Sequence, residues 1–295
     1  AANLLRRNSR RGSRRNIAAH YDLSNDFFAL MLDETMTYSS GVFPTPGASL
    51  ADASLEKYDR ICRKLRIGSE HDVLEIGGGW GGFAEFAARN YGCRVTTTTI
   101  SDQQYEYARK CFRSSAASDR ITLLKKDYRD LQGEYDRVVS IEMIEAVGER
   151  FLPTYFSKCS SLLRQEGVML LQAILIPDHR YTQYRRSVDF IQRYMFPGGF
   201  LPSFGAIGDC LARATDFRLC HVEDFGTHYA TTLARWRENF WNNIHAIRSL
   251  GFDERFVRMW HYYLCYCEAG FLSRQIGVSQ LVLAKPAWRG EPILR

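Results

Sequence analysis

The sequence lacks the features that mark a membrane-spanning, secreted or zinc-binding protein. No apolar run approaches the roughly 20 residues that a bilayer-spanning helix needs. The first residues are basic and polar, without the apolar core of a secretion signal. The eight cysteines include no CxxC pair, and neither they nor the seven histidines have zinc-site spacing. These absences predict a cytoplasmic protein with reduced cysteines and no metal.

Positive charge is concentrated at the N-terminus. The formal net charge is +6, and six arginines fall within residues 1–15. We predict that residues 1–15 form a disordered basic arm, followed by a single domain over 16–295. Two interpretations of the arm remain open, an attachment to an anionic partner such as nucleic acid or lipid, or a solvated tail.

Strands and helices alternate through the middle of the chain. Short apolar runs predict strands at 72–76, 93–99, 120–125, 136–142 and 167–175. The helices predicted between them span 81–91, 101–116 and 149–164. This alternation is typical of an α/β, doubly wound, mostly parallel sheet. Strands at 217–225 and 276–285, around helices at 230–249 and 253–272, would complete seven strands with an antiparallel edge.

Helical segments flank this central region. Ser24 or Asn25 can cap an N-terminal helix, and an amphipathic helix follows from Leu50 to Leu65. The alternation breaks at about 177–215, where aromatic residues are frequent and a helix from about 203 to 214 follows a Pro-Gly-Gly turn. We predict this insertion to be a helical cap that selects the substrate.

A glycine-rich turn follows the first predicted strand of the sheet. The strand ends in Glu75-Ile76, and Gly77-Gly78-Gly79-Trp80-Gly81-Gly82 leads into a helix. Glycine permits positive φ and close approach of a ligand to the backbone. A turn at a helix N-terminus suits the polar end of a nucleotide-like cofactor. The E-I-G-x-G-x-G spacing resembles the first motif of S-adenosylmethionine (SAM) methyltransferases.

Several motifs in order resemble the cyclopropane-fatty-acyl-phospholipid synthase family, in a form closer to its plant or algal branch. They lie at Tyr21–Phe28, Thr37–Gly41, the glycine turn, Thr99–Gln104, Glu142–Gly148 and Phe196–Gly199. The resemblance implies a class I SAM methyltransferase fold. It also implies methyl or methylene transfer from SAM to the cis double bond of unsaturated phospholipid acyl chains, forming cyclopropane fatty acyl groups.

The resemblance also implies a set of SAM-binding residues. They are Tyr38, Ser39, Glu75, Gly77, Gly79, Gly81, Thr99, Ile100, Gln104, Asp127, Tyr128 and Arg129. Gly78 stands where the family usually has a cysteine, and the usual acidic ribose partner after the second strand is absent. Tyr38 also fits a core aromatic with a satisfied hydroxyl.

In the family a bound bicarbonate removes the proton that allows the ring to close. Glu145 and Tyr229 match its polar contacts, with Ser40 in place of a cysteine and Gln172 in place of a histidine. Neither replacement is a good base, so the anion or Glu145 would carry the proton. Ring closure therefore stays open, with a methyl- or methylene-branched chain as the alternative product. Glu145 also fits the start of a helix, where its charge meets the helix dipole.

Two further sets of residues carry alternatives. Cys267 matches the cysteine traditionally marked as the family's active site, although a small buried hydrophobe is the better interpretation. Aromatic residues of the cap fit either stabilisation of a carbocation or ordinary packing. They are Tyr181, Tyr184, Phe190, Phe196 and Phe200.

Two rival functions remain, a small-amine N-methyltransferase and a non-catalytic lipid-binding protein. The basic stretch 176–190 argues against an amine substrate, and the intact Gly77, Gly79, Gln104 and Glu145 argue against loss of catalysis. We expect an unsaturated phospholipid substrate, peripheral attachment to an anionic membrane surface and no nucleic-acid partner. A homodimer is left open.

Overall fold

The structure is a computed structural model that describes residues 23–291 and the single residues 12 and 293. The predicted basic arm, apart from Gly12, and the first two residues of the Tyr21–Phe28 motif lie outside the described residues. In the part of the chain that is described, no helix is long and apolar enough to cross a bilayer. The same part contains no group of three His, Cys, Asp or Glu side chains placed to hold a metal.

A seven-stranded sheet forms the centre of the molecule. Its strands are β1 (Asp72–Ile76), β2 (Arg94–Thr98), β3 (Ile121–Leu124), β4 (Tyr135–Ile141), β5 (Leu163–Leu175), β6 (Arg218–Asp224) and β7 (Gly277–Ala284). Their order across the sheet is β3-β2-β1-β4-β5-β7-β6. Only β7 runs antiparallel to its neighbours, β5 and β6. The predicted fold class is confirmed.

Helices cover the sheet and extend beyond its carboxyl edge. They are α1 (Asn25–Met31), α2 (Leu50–Lys64), α3 (Gly82–Tyr91), α4 (Asp102–Arg113), α5 (Leu152–Ser161), α6 (Asp178–Tyr184), α7 (Phe204–Ala214), α8 (Gly226–Asn242), α9 (Ile244–Ser249) and α10 (Glu254–Leu272). Ser24 caps α1 and Ser49 caps α2 through side-chain oxygens that accept backbone N–H groups. A short π-helical turn, Ile191–Met195, lies between α6 and α7.

Three helix predictions differ from the structure. The helix predicted over 101–116 ends at Arg113. The helix predicted over 149–164 ends at Ser161, and β5 begins at Leu163 because the backbone of Tyr135 pairs with that end of the strand across a bulge. The helix predicted over 230–249 is two helices. They separate at Asn243, whose side-chain amide donates to the carbonyls of Leu30 and Asn239 and so ties the break to the end of α1.

An aromatic layer joins α1, α8 and α10 at the carboxyl edge of the sheet. Phe27 meets Trp260 edge to face at 4.9 Å, and both side chains are fully buried. Phe28 contacts Trp80 of the glycine turn at 4.9 Å between ring centroids. Because burial of such rings stabilises packing strongly, this layer fixes the N-terminal and C-terminal helices against the glycine turn.

Candidate functional site

A cavity of about 580 Å³ lies along the carboxyl ends of the parallel strands. Its lining comes from the ends of β1 to β5, the segment after β5, and helices α8 and α10. The strand order places the ends of β3 and β2 at one side, β1 in the middle, and β4 and β5 toward the cap. This crevice is where doubly wound folds bind ligands.

The glycine turn forms the middle of the cavity wall. Gly77 and Gly79 line the cavity with φ of +85° and +55°, a region that glycine adopts without strain. A Cβ added at Gly79 would meet no atom within 4 Å, whereas a Cβ at Gly78 would lie 1.9 Å from Thr97 Oγ1. Gly81 caps α3 and does not line the cavity. The turn therefore presents bare backbone to a ligand.

Glu75 lies beneath the glycine turn and is almost completely buried, with 3% of its surface exposed. Its Oε2 accepts a hydrogen bond of 2.5 Å from Thr97 Oγ1. Burial raises the pKa of Glu75 to about 7, against the opposing effects of that hydrogen bond and the Lys57 charge. Gly78 is thus fitted to Thr97, because a side chain at position 78 would displace the hydroxyl that holds Glu75.

Polar side chains after β2 and β3 line the next part of the cavity. Thr99 Oγ1 donates a hydrogen bond of 2.8 Å to Gln104 Oε1. Both residues line the cavity, and so does Ile100. After β3, Asp127 accepts two hydrogen bonds from the Arg129 guanidinium, at 2.8 and 2.6 Å. Tyr128 lines the cavity beside Asp127, whereas Arg129 does not line it and braces the carboxylate from behind.

Tyr38 and Ser39 line the cavity from the segment that follows α1. The Tyr38 hydroxyl lies 3.0 Å from that of Tyr263, so its ring is both a packed aromatic and part of the lining. Ser39 Oγ accepts a hydrogen bond of 2.6 Å from Lys57 Nζ. The glycine turn and these polar groups fit a ligand with a charged end, hydroxyl groups and a heterocycle. Their roles as SAM contacts stay predictions.

A carboxylate that the sequence reasoning missed lies where β4 ends. Glu142 Oε1 accepts hydrogen bonds from the backbone N–H of Ser40 at 2.9 Å and from Gln172 Nε2 at 2.8 Å. Its Oε2 accepts the hydroxyl of Tyr229 at 2.6 Å. Glu142 lines the cavity and has φ of +49°, which is uncommon for a residue with a side chain. The available signal was its place directly after the fourth strand, three residues before Glu145.

Glu145 lines the same cavity from a short 3₁₀ turn, Ile144–Ala146. Its Oε1 accepts the backbone N–H of Ile174 at 2.6 Å, and its buried Oε2 has no hydrogen-bond partner in the part of the chain that the structure describes. Burial, with the nearby Glu142 charge, raises the pKa of Glu145 to about 8. Glu145 is therefore mainly protonated at neutral pH, which places a carboxylic acid beside the Glu142 carboxylate.

Three of the residues expected to contact bicarbonate contact a side chain of the protein instead. Ser40, Gln172 and Tyr229 converge, but the group they surround is the side chain of Glu142. The hydroxyl of Ser40 donates to the carbonyl of Gly41 at 3.0 Å. Ser40 and Gln172 are fully buried and do not line the cavity. This donor set does not fit a bound bicarbonate, because its polar groups already have a carboxylate partner.

Cys267 lies on α10 and lines the cavity. In the sequence of the helix it comes four residues after Tyr263 and four before Phe271, which also line the cavity. Burial raises the pKa of its thiol well above the ordinary value. The thiol form is therefore favoured, and a nucleophilic thiolate is not. The geometry agrees with the interpretation of Cys267 as a small apolar lining residue.

The segment after β5 supplies the apolar part of the lining. Of the five cap aromatics considered for cation stabilisation, Tyr184, Phe196 and Phe200 line the cavity, and Tyr181 and Phe190 do not. The ring of Phe196 lies 6.0 Å from that of Tyr263. The cavity thus has a polar side at β1 to β3 and an aromatic side under the cap.

Comparison with known proteins places the chain in one family. Residues 8–281 match the family model of mycolic acid cyclopropane synthetase. The chain is 44% identical over 284 residues to tuberculostearic acid methyltransferase UfaA1 of Mycobacterium tuberculosis, and 37% identical over 280 residues to cyclopropane-fatty-acyl-phospholipid synthase of Escherichia coli K12. Each match covers 94% of this chain, but only 66% and 69% of those relatives.

Solved structures agree with the sequence comparisons. Mycolic acid cyclopropane synthase CmaA1, complexed with SAH and CTAB, superposes with a TM-score of 0.87 at 31% identity, over 92% of this chain and 98% of that one. Cyclopropane synthase MmaA2 from M. tuberculosis gives a TM-score of 0.86 at 28% identity, with the same coverage. Fold, cavity and sequence together assign this chain to the mycolic acid cyclopropane synthetase family of SAM-dependent methyltransferases.

Proposed function

We propose that the protein transfers the methyl group of SAM to the cis double bond of an unsaturated phospholipid acyl chain and closes a cyclopropane ring. The observation that carries this proposal is the two-sided cavity. Its polar side suits the donor, its aromatic side suits a hydrocarbon chain, and Glu142 and Glu145 lie between them. An apolar chain and a polar donor would therefore meet beside two acidic groups.

The polar side would hold the donor. Gly77 and Gly79 would offer backbone to its methionine end, with Thr99 and Gln104 near the ribose and Asp127 near the adenine. Bound SAM supplies a methyl group made electrophilic by the neighbouring sulfonium. The chain's own contribution is to exclude water and to keep the acyl chain aligned with that methyl.

The aromatic side would stabilise the charge that develops on the acyl chain. One alkene carbon bonds to the methyl carbon as the carbon–sulfur bond breaks, which leaves a carbocation on the other carbon. The faces of Phe196 and Tyr263 line this part of the cavity and attract a nearby cation. A base then takes a proton from the added methyl, and the freed electron pair forms the second ring bond. The resemblance implied bicarbonate as this base, but the donor set does not favour it.

A second product is favoured by one comparison. The relative with 44% identity is a tuberculostearic acid methyltransferase. If a hydride first shifts from the methylated carbon to the neighbouring cation, loss of a proton from the added methyl gives a methylene-branched chain instead of a ring. A saturated methyl branch needs a reductant in addition. An N-methyltransferase receives no such support, because the likeness to coclaurine N-methyltransferase, at 20% identity, extends to the fold alone.

The test uses the purified protein, isotope-labelled SAM and vesicles of unsaturated phospholipid. Mass spectrometry of the released fatty acids should find labelled chains with one added carbon. A ring or a methylene branch has two hydrogens fewer than a methyl branch, and mild hydrogenation changes only the methylene product. SAM binding measured by calorimetry without any labelled lipid would contradict the proposal. No SAM binding would leave a non-catalytic lipid-binding protein.

Attachment to an anionic membrane surface is part of the same proposal. Each basic residue near such a surface contributes roughly 1 kcal/mol. Exposed aromatics, including Tyr194, Tyr262 and Tyr266, lie on the π-helical turn and α10, and Tyr266 also lines the cavity. Such rings suit a membrane interface near a lipid entrance. We expect binding to anionic vesicles to weaken as salt rises, and salt-independent binding would contradict the arm's role.

A further inference from the structure

We propose that the carboxylate of Glu142 is the resident base of this enzyme and takes the place of a bound bicarbonate. This inference rests on the proposed function, since it names the group that removes the proton from the added methyl. It is carried by geometry: a side-chain carboxylate, open to the cavity, is held by the groups that were expected to hold a free oxyanion.

The hydrogen bonds around Glu142 are those that an ionised carboxylate requires. All three neighbours donate: a backbone N–H, a side-chain amide N–H and a phenol hydroxyl. Such bonds stabilise the charged form of the acceptor. The nearby Lys57 ammonium favours the same charge state. Glu142 thus has the partners of a base in its deprotonated form.

A buried chain of hydrogen bonds fixes the direction of the Gln172 amide. Lys64 Nζ can only donate, and it donates to Gln280 Oε1 at 2.6 Å. The other end of that amide, Gln280 Nε2, donates to Gln172 Oε1 at 3.0 Å. Gln172 must then present its N–H to Glu142. The lysine at the far end therefore settles the orientation of both amides, and with it the acceptor role of Glu142.

The second carboxyl group in the cavity has different surroundings. Among the described residues, Glu145 accepts one backbone hydrogen bond on Oε1, from Ile174, and its Oε2 has no hydrogen-bond partner. Two carboxyl groups so close do not both ionise easily, and the one with more donors keeps the charge. Glu142 then acts as the base, and Glu145 stays a neutral acid that can hold an OH group toward its neighbours.

The step balances without a further reactant. An oxygen of Glu142 takes a proton from the methyl carbon already bonded to the acyl chain, and the electron pair of that C–H bond closes the ring. Glu142 is then neutral and returns the proton to solvent once product has left. The net change is SAM plus alkene to SAH, cyclopropane and one proton.

The test combines bicarbonate depletion with two substitutions. Wild-type protein in buffer freed of carbon dioxide should make product at the same rate with and without added bicarbonate. Glu142→Gln keeps the size of the side chain and should lower kcat about 10²- to 10⁴-fold, the usual contribution of a general base. Glu142→Gly opens the anion site, and glycine suits its φ of +49°. This variant should be inactive until bicarbonate is added.

Binding gives a readout independent of turnover. Titration with ¹³C-labelled bicarbonate, followed by NMR, should show saturable binding to Glu142→Gly and none to wild type. Both variants should bind SAM within about threefold of wild type, since Glu142 is not among the proposed donor contacts. A wild-type enzyme that needs bicarbonate, or a fully active Glu142→Gln, overturns the inference. If no lipid product forms at all, the proposed function is wrong. The bicarbonate titration would then still test whether the Glu142 side chain occupies the position of the anion.

Discussion

The hydroxyl of Tyr229 offers the sharpest test of how the carboxylate centre works. In Tyr229→Phe the 2.6 Å hydrogen bond to Glu142 Oε2 is lost. The ring itself keeps its place, because it stacks on Phe271 with centroids 4.4 Å apart and meets Trp236 edge to face. The substitution therefore removes one donor from the centre while leaving the surrounding packing intact.

The magnitude follows from the type of hydrogen bond. A bond to a charged group contributes about 1.5–3 kcal/mol, so kcat should fall about 10- to 100-fold if Glu142 must be aligned and ionised. The direction of the pH effect is also fixed. Burial raises the pKa of Glu142, and the Tyr229 hydroxyl acts against that rise. Losing the hydroxyl raises the pKa further, so the acid limb of the kcat profile should move to higher pH.

The assay measures label transfer from SAM to vesicle lipids between pH 5 and pH 9, with SAM affinity measured separately. The matched control is Tyr135→Phe, at the opposite end of β4, where the phenol makes only a long contact of 3.5 Å with the Gln132 carbonyl. The control should behave as wild type. An unchanged kcat together with an unmoved acid limb in Tyr229→Phe would refute the role given to Glu142.

Three further substitutions test the surrounding structure. Gly78→Ala should lower the free energy of unfolding by about 1–3 kcal/mol in urea titrations, because the added Cβ would lie 1.9 Å from Thr97 Oγ1. In the control Gly208→Ala in α7, the added Cβ would meet no atom within 4 Å, and the free energy of unfolding should rise by about 0.5–1 kcal/mol. Equal effects of the two substitutions would contradict the packing argument. Arg129→Ala should weaken SAM binding in calorimetry, because Asp127 loses two hydrogen bonds that orient it; an unaltered affinity would remove Asp127 from the proposed site. Lys57→Met should flatten the pH dependence of stability. Burial lowers the pKa of Lys57 from 10.5 to about 8. Between pH 8 and pH 10.5 the unfolded chain therefore holds a proton that the native state has lost, and the free energy of unfolding of the wild type rises by up to about 3 kcal/mol as the pH rises. Parallel stability curves for wild type and variant would show this reasoning to be wrong.

The sheet was predictable because its strands are buried runs with clear boundaries. Six of the seven strands agree with the sequence prediction within one residue at each end. The start of β5 was missed because residues 164–166 are polar and exposed, so nothing in the local pattern marks them as strand. The helix break at Asn243 was missed because it depends on a distant contact. The Asn243 amide donates to the carbonyls of Asn239 and Leu30, and only the contact with Leu30, far away in the sequence, distinguishes Asn243 from an ordinary helical residue.

The carboxylate centre was only half predictable. Motif resemblance selected Glu145 and Tyr229, and both line the cavity. It did not select Glu142, because the three donors that define its environment lie 102, 30 and 87 residues away along the chain. Resemblance assigns roles from what relatives bind, and it cannot show that a side chain of this protein fills the position of a free anion. The catalytic assignments themselves stay predictions.

A tethered base changes what the reaction depends on. A dissolved anion must be captured from solution, whereas a side chain is always present and already oriented, and such orientation contributes strongly to rate. The cost is a left-handed backbone at Glu142, about 1–3 kcal/mol for such a residue, together with removal of a carboxylate from water. Three donated hydrogen bonds offset that cost, since each bond to a charge contributes about 1.5–3 kcal/mol. The replacement of a histidine by Gln172 then has a physical reason, because the residue need not be a base when its side-chain amide orients one. Ser40 contributes a backbone N–H, which any residue but proline could supply.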